Sequence, residues 1–288
     1  MMGLRSRLCK RLQRETAILH SSLEQVIDRS GFDSIDFCWR LPGKKAPCSC
    51  TDEEGLLIYD LIAHNQLTHG FEIATAFGFS AVYAGLAFKQ TGGTLNTLDC
   101  YIEESTDDCA YGKRDLEQHL QLLRPEIERG NLPQGMAFAK KMLQQLQLEG
   151  TVHLHVGISP NDIPACIDHR PVDFVLIDGG HHGEQPMQDW LAIQPFVSEK
   201  CAILFHDDSA SFPAVKLAVS AAEEFLGVKG VQLSSRAHMT LVSRNLQPDT
   251  EVRLKQICVR NRAWIFPKRL ERYFRRFKLR LAAMVGRH

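Results

Sequence analysis

From Glu53 onward the chain alternates two hydrophobic periodicities. Apolar residues recur at helical spacing over 53–66, 80–90, 136–148, 184–196 and 213–226, and short apolar runs stand at 70–75, 94–99, 151–156, 172–177 and 201–205. A run such as Val172 to Ile177 is too short for a helix and almost continuously apolar, as strands buried on both faces of a parallel sheet are. Strands alternating with helices predict an α/β fold, a Rossmann-like doubly wound and mostly parallel sheet. The closing runs, 230–235 and 238–243, lie too near one another for a crossover helix. They predict an antiparallel hairpin at one edge.

Two stretches depart from this rhythm. Residues 100–135 are polar and charged, with Pro125, Gly130, Pro133 and Gly135, and follow the carboxyl end of a strand, where open sheets bind ligands. They read as an insertion that covers the site or selects the substrate, or else as a surface loop. Residues 4–28 place Leu4, Leu8, Leu12, Ile18, Leu19, Leu23, Val26 and Ile27 at helical spacing, and a turn-rich linker with Pro42, Gly43 and Pro47 follows. The domain plan is therefore a helical extension and linker over 1–50, an α/β domain over 51–245 and a C-terminal extension over 246–288.

The 288 residues are 44% hydrophobic and 24% charged, an ordinary globular composition with length enough for a large core. The net charge of zero hides an asymmetry. Residues 1–14 hold five Lys/Arg and no acid, and 259–288 hold ten with only Glu271, which leaves 19 basic against 33 acidic residues between them. The middle thus carries about −14 between two cationic ends. Nine scattered cysteines in a chain of this size suit a reducing compartment, the cytoplasm. Cys38, Cys48 and Cys50 offer three soft ligands, yet Cys-x-Cys lacks the usual zinc spacing. The first 30 residues lack the apolar run of a secretory signal, and no segment has 18 consecutive apolar residues.

Chemistry gathers at the strand ends. The first strand runs from Phe71 and Glu72 through Ala74, Ala76 and Gly78 to Ser80, small residues that let backbone amides approach a ligand or simply let strand and helix pack closely. The second strand ends in Asp99, an acid placed for the two hydroxyls of a nucleotide ribose. The fourth exits through Asp178-Gly179-Gly180-His181-His182, and the fifth through His206-Asp207-Asp208. A buried apolar strand needs no such ending, and collecting ionisable groups at one edge costs repulsion unless a ligand or metal uses them. Helix capping by Asp178 or Asp208 is the plainer alternative. Ser159, in Gly157-Ile158-Ser159 after the third strand, is a further cofactor candidate. His153, His155, Trp190 and Phe196 read as packing residues.

These motifs resemble the class I methyltransferases of the "methyltransferase 24" type, and more distantly the TylF- and MycE-like sugar O-methyltransferases, over about residues 51–244. Ile177, Asp178, Gly179 and His181 are similar to the family's strand-four motif, and Phe205 to Asp208 to its strand-five ending. The resemblance implies S-adenosylmethionine as cofactor, contacted by Glu72, Ala74, Gly78, Ser80, Asp99, Ser159 and Asp178. It also implies a Mg²⁺ or Mn²⁺ on Asp178, Asp207 and Asp208. Two departures stand out. Where the family's first loop has glycines this chain has Ala74 and Ala76, and alanine resists positive φ, so the loop is expected to be reshaped or its cofactor weakened. Gly180 replaces the aspartate that serves the sugar enzymes as base, which leaves His181 as base, with Asp178 and His206 beside it.

The reading is methyl transfer to a hydroxyl of a small molecule or glycan. A methyltransferase-like scaffold without catalysis, and a nicotinamide-dependent oxidoreductase using Asp99 on its ribose, are the rival readings. From Pro267 a helix would align Leu270, Tyr273, Phe274, Phe277, Leu281 and Met284 among basic residues, with Trp264 and Phe266 before it. Such a helix suits an anionic membrane surface, and equally the acidic middle of the chain or a second subunit in a homo-oligomer. At about 1 kcal/mol per basic residue near an anionic bilayer, the full chain is expected to pellet with anionic vesicles at low salt. A chain ending at residue 258 should not. Equal sedimentation of the two defeats the membrane reading.

Overall fold

The computed structural model describes residues 50, 52–101, 116–167, 170–233 and 238–258. The expectations for residues 1–49 and 259–288, including the N-terminal helices, the Cys38 and Cys48 ligands and the basic tail, lie outside the described residues.

In chain order the elements are α1 (Asp52–Asn65), β1 (His69–Ile73), α2 (Phe79–Thr91), β2 (Thr94–Asp99), α3 (Leu116–Glu128), α4 (Gln134–Gln145), β3 (Val152–Val156), α5 (Ile163–Cys166), β4 (Val172–Ile177), α6 (Gln185–Ile193), β5 (Val197–Phe205), α7 (Pro213–Leu226), β6 (Val231–Gln232) and β7 (Thr240–Arg244). Residues 250–258 are helical. The seven strands follow the order β3-β2-β1-β4-β5-β7-β6, parallel from β3 to β5, with β7 antiparallel to β5 and to β6. This is the doubly wound sheet with an antiparallel edge hairpin that the periodicity predicts.

Strand alternation divides the core in two. Phe174 and Leu176 face a layer built from α1, α2 and α4, whereas Val175 and Ile177 face α5, α6 and α7. Small residues set the spacing of the first layer. A Cβ on Gly55 would lie 2.1 Å from the Tyr83 ring, and one on Gly70 2.6 Å from Phe88, so each glycine lets an aromatic ring rest on backbone.

Three elements differ from the sequence expectation. The insertion 100–135, for which no regular element was expected, contains α3, a polar helix that continues through Pro125 although proline forfeits one backbone bond there. Its Leu120 is buried while Leu122 is exposed, an apolar signal too sparse to stand out. The helix expected over 184–196 ends at Ile193 in a 3₁₀ turn carrying Pro195, and β5 begins at Val197 rather than Cys201. The hairpin strand β6 is only two residues long.

The stretch after Arg244 also joins the core. Leu254 and Cys258 are buried in the α1 layer. Arg253 clasps Asp60 of α1 through Nε (3.1 Å) and Nη2 (2.5 Å). Buried Asn65 closes α1 against this segment: its Oδ1 accepts the Gln247 amide (2.8 Å) and the Thr250 hydroxyl (2.9 Å), and its Nδ2 donates to the Leu61 carbonyl (2.9 Å). Asn65→Ala strands two donors and is expected to cost about 2–4 kcal/mol in urea unfolding, with faster amide exchange over 247–258. Unchanged stability would show that this clasp contributes nothing.

Candidate active site

The site stands at the carboxyl ends of β1, β2, β4 and β5, and sheet register builds it. Ile73 of β1 pairs with Ile177 of β4, and Ile177 with Phe205 of β5. The next residue on each strand therefore emerges at one level: Ala74, Asp178 and His206. Backbone bonds from Asp178 N to Ile73 O (3.3 Å) and from His206 N to Ile177 O (3.1 Å) extend the ladder by one step.

The turn after β1 keeps a glycine-like path. Ala74 (φ 75°) and Ala76 (φ 46°) are both left-handed, as is Gly78 (φ 78°), so the two alanines take the positive φ that glycine takes freely. The two alanines cost about 1–2 kcal/mol each. Asp99 is one group that holds them there. Its Oδ2 accepts the Ala76 amide and its Oδ1 the Tyr101 amide, both at 2.6 Å. Behind this clamp Thr75, Thr97 and Glu72 form a chain of hydroxyl bonds, with Thr97 donating to Glu72 Oε2 at 2.6 Å.

Glu72 is buried, and burial raises its carboxyl to about 7 in spite of hydrogen bonds from Ser80 and Thr97. Burial raises Asp99 as well, against the backbone amides it accepts. Tyr101, also left-handed and buried, has its phenol pushed upward by burial and by Asp99. Glu72 and Tyr101 are buried and Asp99 is half-buried, so the tips of β1 and β2 form an acidic floor.

Beside the floor, Asp178, His181, His206 and Asp207 turn their ligating atoms together, all within 4.8 Å of one another. His206 Nδ1 lies 2.9 Å from Asp178 Oδ1 and 3.0 Å from Asp207 Oδ2, and His181 Nε2 lies 3.6 Å and 3.3 Å from the same two oxygens. On the far side of the His206 ring, Nε2 faces buried Glu54 of α1 at 3.8 Å. Burial disfavours charge on His206, but Asp178, Asp207 and Glu54 outweigh it and hold the imidazole well above its usual range. Asp178 is likewise pushed up by burial and pulled down further by His206 and His181, to about 2. The Phe212 ring packs on His181 at 4.8 Å and on His182 at 5.4 Å.

Of the expected carboxylate trio, Asp178 and Asp207 come together and Asp208 stands apart. Asp208 turns away, accepting the Thr240 hydroxyl at 2.6 Å while its amide bonds His238 O. Asp207 takes a left-handed backbone (φ 59°) that sends its neighbour to the hairpin while its own carboxylate stays at the site. Ser159 stands behind the group, donating to Asp189 of α6, which also accepts from Gln185 (2.6 Å). Asp189 is fully buried, and burial raises it to about 6 despite those bonds. His155 pairs with Asn96 at 2.9 Å, away from the site chemistry. Glu54, Thr97, Tyr101 and Asp189 escaped the sequence reading. Asp189, polar on an otherwise apolar helix face, offered the clearest signal.

Residues 71–207 match a family model described as a methyltransferase domain. A sequence search of curated proteins returns no match. Among solved structures, cofactor-bound Rv0187 from MTB aligns with a TM-score of 0.52 at 14% identity, over 80% of this chain and 90% of that one. The SAH-bound Podospora anserina methyltransferase PaMTH1 gives 0.51 at 12%, over 82% and 96%. The O-methyltransferase TomG from Streptomyces achromogenes, involved in tomaymycin synthesis and in complex with SAM, gives 0.50 at 12%, over 79% and 89%. At such identities the likeness is one of fold.

The buried Glu72 carries a pH signature. Its native carboxyl titrates near 7 against an ordinary 4.5, so the native state holds this proton to higher pH than the unfolded chain does. Its contribution to stability is therefore lost as pH rises from about 4.5 to about 7, and above that range the ionised group costs about 3 kcal/mol. Glu72→Gln should raise the melting temperature at pH 8 and leave it unchanged at pH 4. A gain of equal size at both values would sink the assignment.

Proposed function

We propose that this chain is a class I S-adenosylmethionine-dependent methyltransferase that methylates a hydroxyl oxygen of a small molecule or glycan, a reading supported by its fold and by the methyltransferase-domain match over residues 71–207. The observation that carries this reading is the placement of the acidic floor (Glu72, Asp99) directly beside the Asp178–His181–His206–Asp207 group.

S-adenosylmethionine supplies a methyl carbon on a positively charged sulfur. Asp99, at the tip of β2, would take the ribose hydroxyls on the lone pairs that the Ala76 and Tyr101 amides leave free, and the turn through Gly78 at the start of α2 would lie at the amino-acid end. Asp178, kept ionised by His206 and His181, would supply negative charge on the side of the cationic sulfur. The methyl carbon leaves sulfur, whose bonding pair stays behind to give neutral S-adenosylhomocysteine, and bonds to the acceptor oxygen. The acceptor's proton must go to the protein. With no ion bound His181 would receive it, and with His181 on an ion the neighbouring Asp207 carboxylate, 3.3 Å away, would receive it instead. Most of the acceleration is then positional: the sheet edge holds donor and acceptor in attack geometry.

A divalent cation on the histidine–carboxylate group would add Lewis-acid help toward that proton. Two aspartates and two imidazoles, converging and partly exposed, fit one. The left-handed Ala74 and Ala76 support a working cofactor turn over an inactive scaffold.

Calorimetry should detect S-adenosylhomocysteine binding to the wild-type chain. Asp99→Asn should weaken it about 10- to 100-fold, the worth of a charge-assisted pair of hydrogen bonds. A folded protein that binds no S-adenosylhomocysteine would favour the scaffold reading, and NAD binding in its place the oxidoreductase.

A further inference from the structure

We propose that Asp178, His181, His206 and Asp207 form a mixed nitrogen–oxygen site for a first-row transition dication in preference to Mg²⁺, with Glu54 as the carboxylate that orients His206. The proposal rests on the methyl-transfer reading for the purpose of the ion, not for its binding.

Geometry gives the first reason. Metal bonds to imidazole and carboxylate measure about 2.0–2.2 Å, so neighbouring ligand atoms around one ion stand about 3–3.5 Å apart. The four separations between imidazole nitrogen and carboxylate oxygen here are 2.9, 3.0, 3.3 and 3.6 Å, and the two remaining pairs lie within 4.8 Å, so an ion would draw the four atoms slightly together. Ligand chemistry gives the second. Mg²⁺ favours an octahedron of oxygens and retains much of its water, whereas imidazole suits Fe²⁺, Ni²⁺, Cu²⁺ and Zn²⁺. The departure of Asp208 toward Thr240 replaces an all-carboxylate trio with two nitrogens and two oxygens.

The third reason comes from outside the matched segment. A metal-bound histidine usually gives its other ring nitrogen to a carboxylate or carbonyl, which fixes tautomer and ring plane. His206 approaches this arrangement, with Nδ1 turned to the cluster and Nε2 facing Glu54 Oε2 at 3.8 Å, an ion-pair distance that a small shift of either side chain would shorten to a hydrogen bond. Glu54 is 1% exposed, a carboxylate buried in α1 against the rim of the site. Each aspartate commits one oxygen to the ion and keeps its second for the acceptor's proton, so metal binding and proton removal do not compete for the same atom.

The competing arrangement is a charged His206 bridging Asp178 and Asp207 with no ion. The experiment titrates chelator-stripped full-length protein with Co²⁺ alone, read by visible ligand-field absorption, and compares Zn²⁺, Mn²⁺ and Mg²⁺ by calorimetry. One Co²⁺ per chain is expected, bound at least 100-fold more tightly than Mg²⁺ by the preference of imidazole for such ions, as a rough lower bound. Glu54→Gln should weaken Co²⁺ about 10- to 100-fold while S-adenosylhomocysteine binding persists. His181→Ala and His206→Gln should each change the absorption band. Absence of Co²⁺ binding, equal affinity for Mg²⁺, or unaltered spectra in both histidine variants would overturn the site. Co²⁺ binding in a protein that binds no S-adenosylhomocysteine would uphold the metal site and overturn the methyl-transfer reading instead.

Discussion

The parallel register of β1, β4 and β5 is the constraint on which the rest depends. Because Ile73, Ile177 and Phe205 stand level across three strands, the residues that follow them leave the sheet side by side. Those are the positions carrying Asp178 and His206, so a carboxylate and an imidazole meet at 2.9 Å without any long-range adjustment. A one-residue slip of β5 would send His206 to the opposite face of the sheet and bring Asp207 or Phe205 in its place. The buried runs Phe174 to Ile177 and Cys201 to Phe205 forbid such a slip, since each would turn its two apolar faces into the wrong layers.

Around that register the protein spends stability on the site. Ala74, Ala76, Tyr101 and Asp207 all adopt backbone conformations that L-residues avoid, and all four lie at strand ends that face the site. The strain is held by rigid neighbours. Asp99 pins Ala76 and Tyr101 by their amides, and α4 closes from above, near enough that a Cβ on Gly135 would stand 2.7 Å from the Ala76 carbonyl oxygen. The Phe138 ring of α4 meets Phe77 and Phe79 at 6.0 and 5.8 Å, bracing the turn from the same side. Glu72 and Asp189, whose burial works against their charge, add to the cost and show where water is excluded.

What the sequence discloses and what it hides follow from the range of the interactions. Strand and helix positions in the α/β domain were legible because alternation and helical spacing are local. So were Asp99, Asp178, His181, His206 and Asp207 as ionisable strand endings. The path of Ala74 and Ala76 was not, because a residue's preference against positive φ can be overruled by a carboxylate 23 positions away in the chain. The turning of Asp208 was hidden for a similar reason, since its hydroxyl partner Thr240 belongs to the edge hairpin. Glu54 was the least legible: its helix reads as an ordinary amphipathic segment, and only the packing of α1 against the sheet brings its carboxylate to His206. Helix α3 escaped because its sequence is polar and holds a proline.

The strand order also sets a schedule for the chain as it is made. β1, buried along its whole length at the middle of the sheet, emerges early, yet one of its two neighbours, β4, lies about a hundred residues further on; the Thr68 and His69 amides wait for Asp173 across separations of 105 and 104 residues. At a synthesis rate of roughly 5–20 residues per second, that interval lasts roughly 5 to 20 seconds. Throughout it one edge of β1, with its unpaired amides and apolar side chains, has no native partner, and such an edge is what aggregation recruits. Substitutions that slow the arrival of β4 would therefore lower the yield of folded protein even where the finished molecule tolerates them.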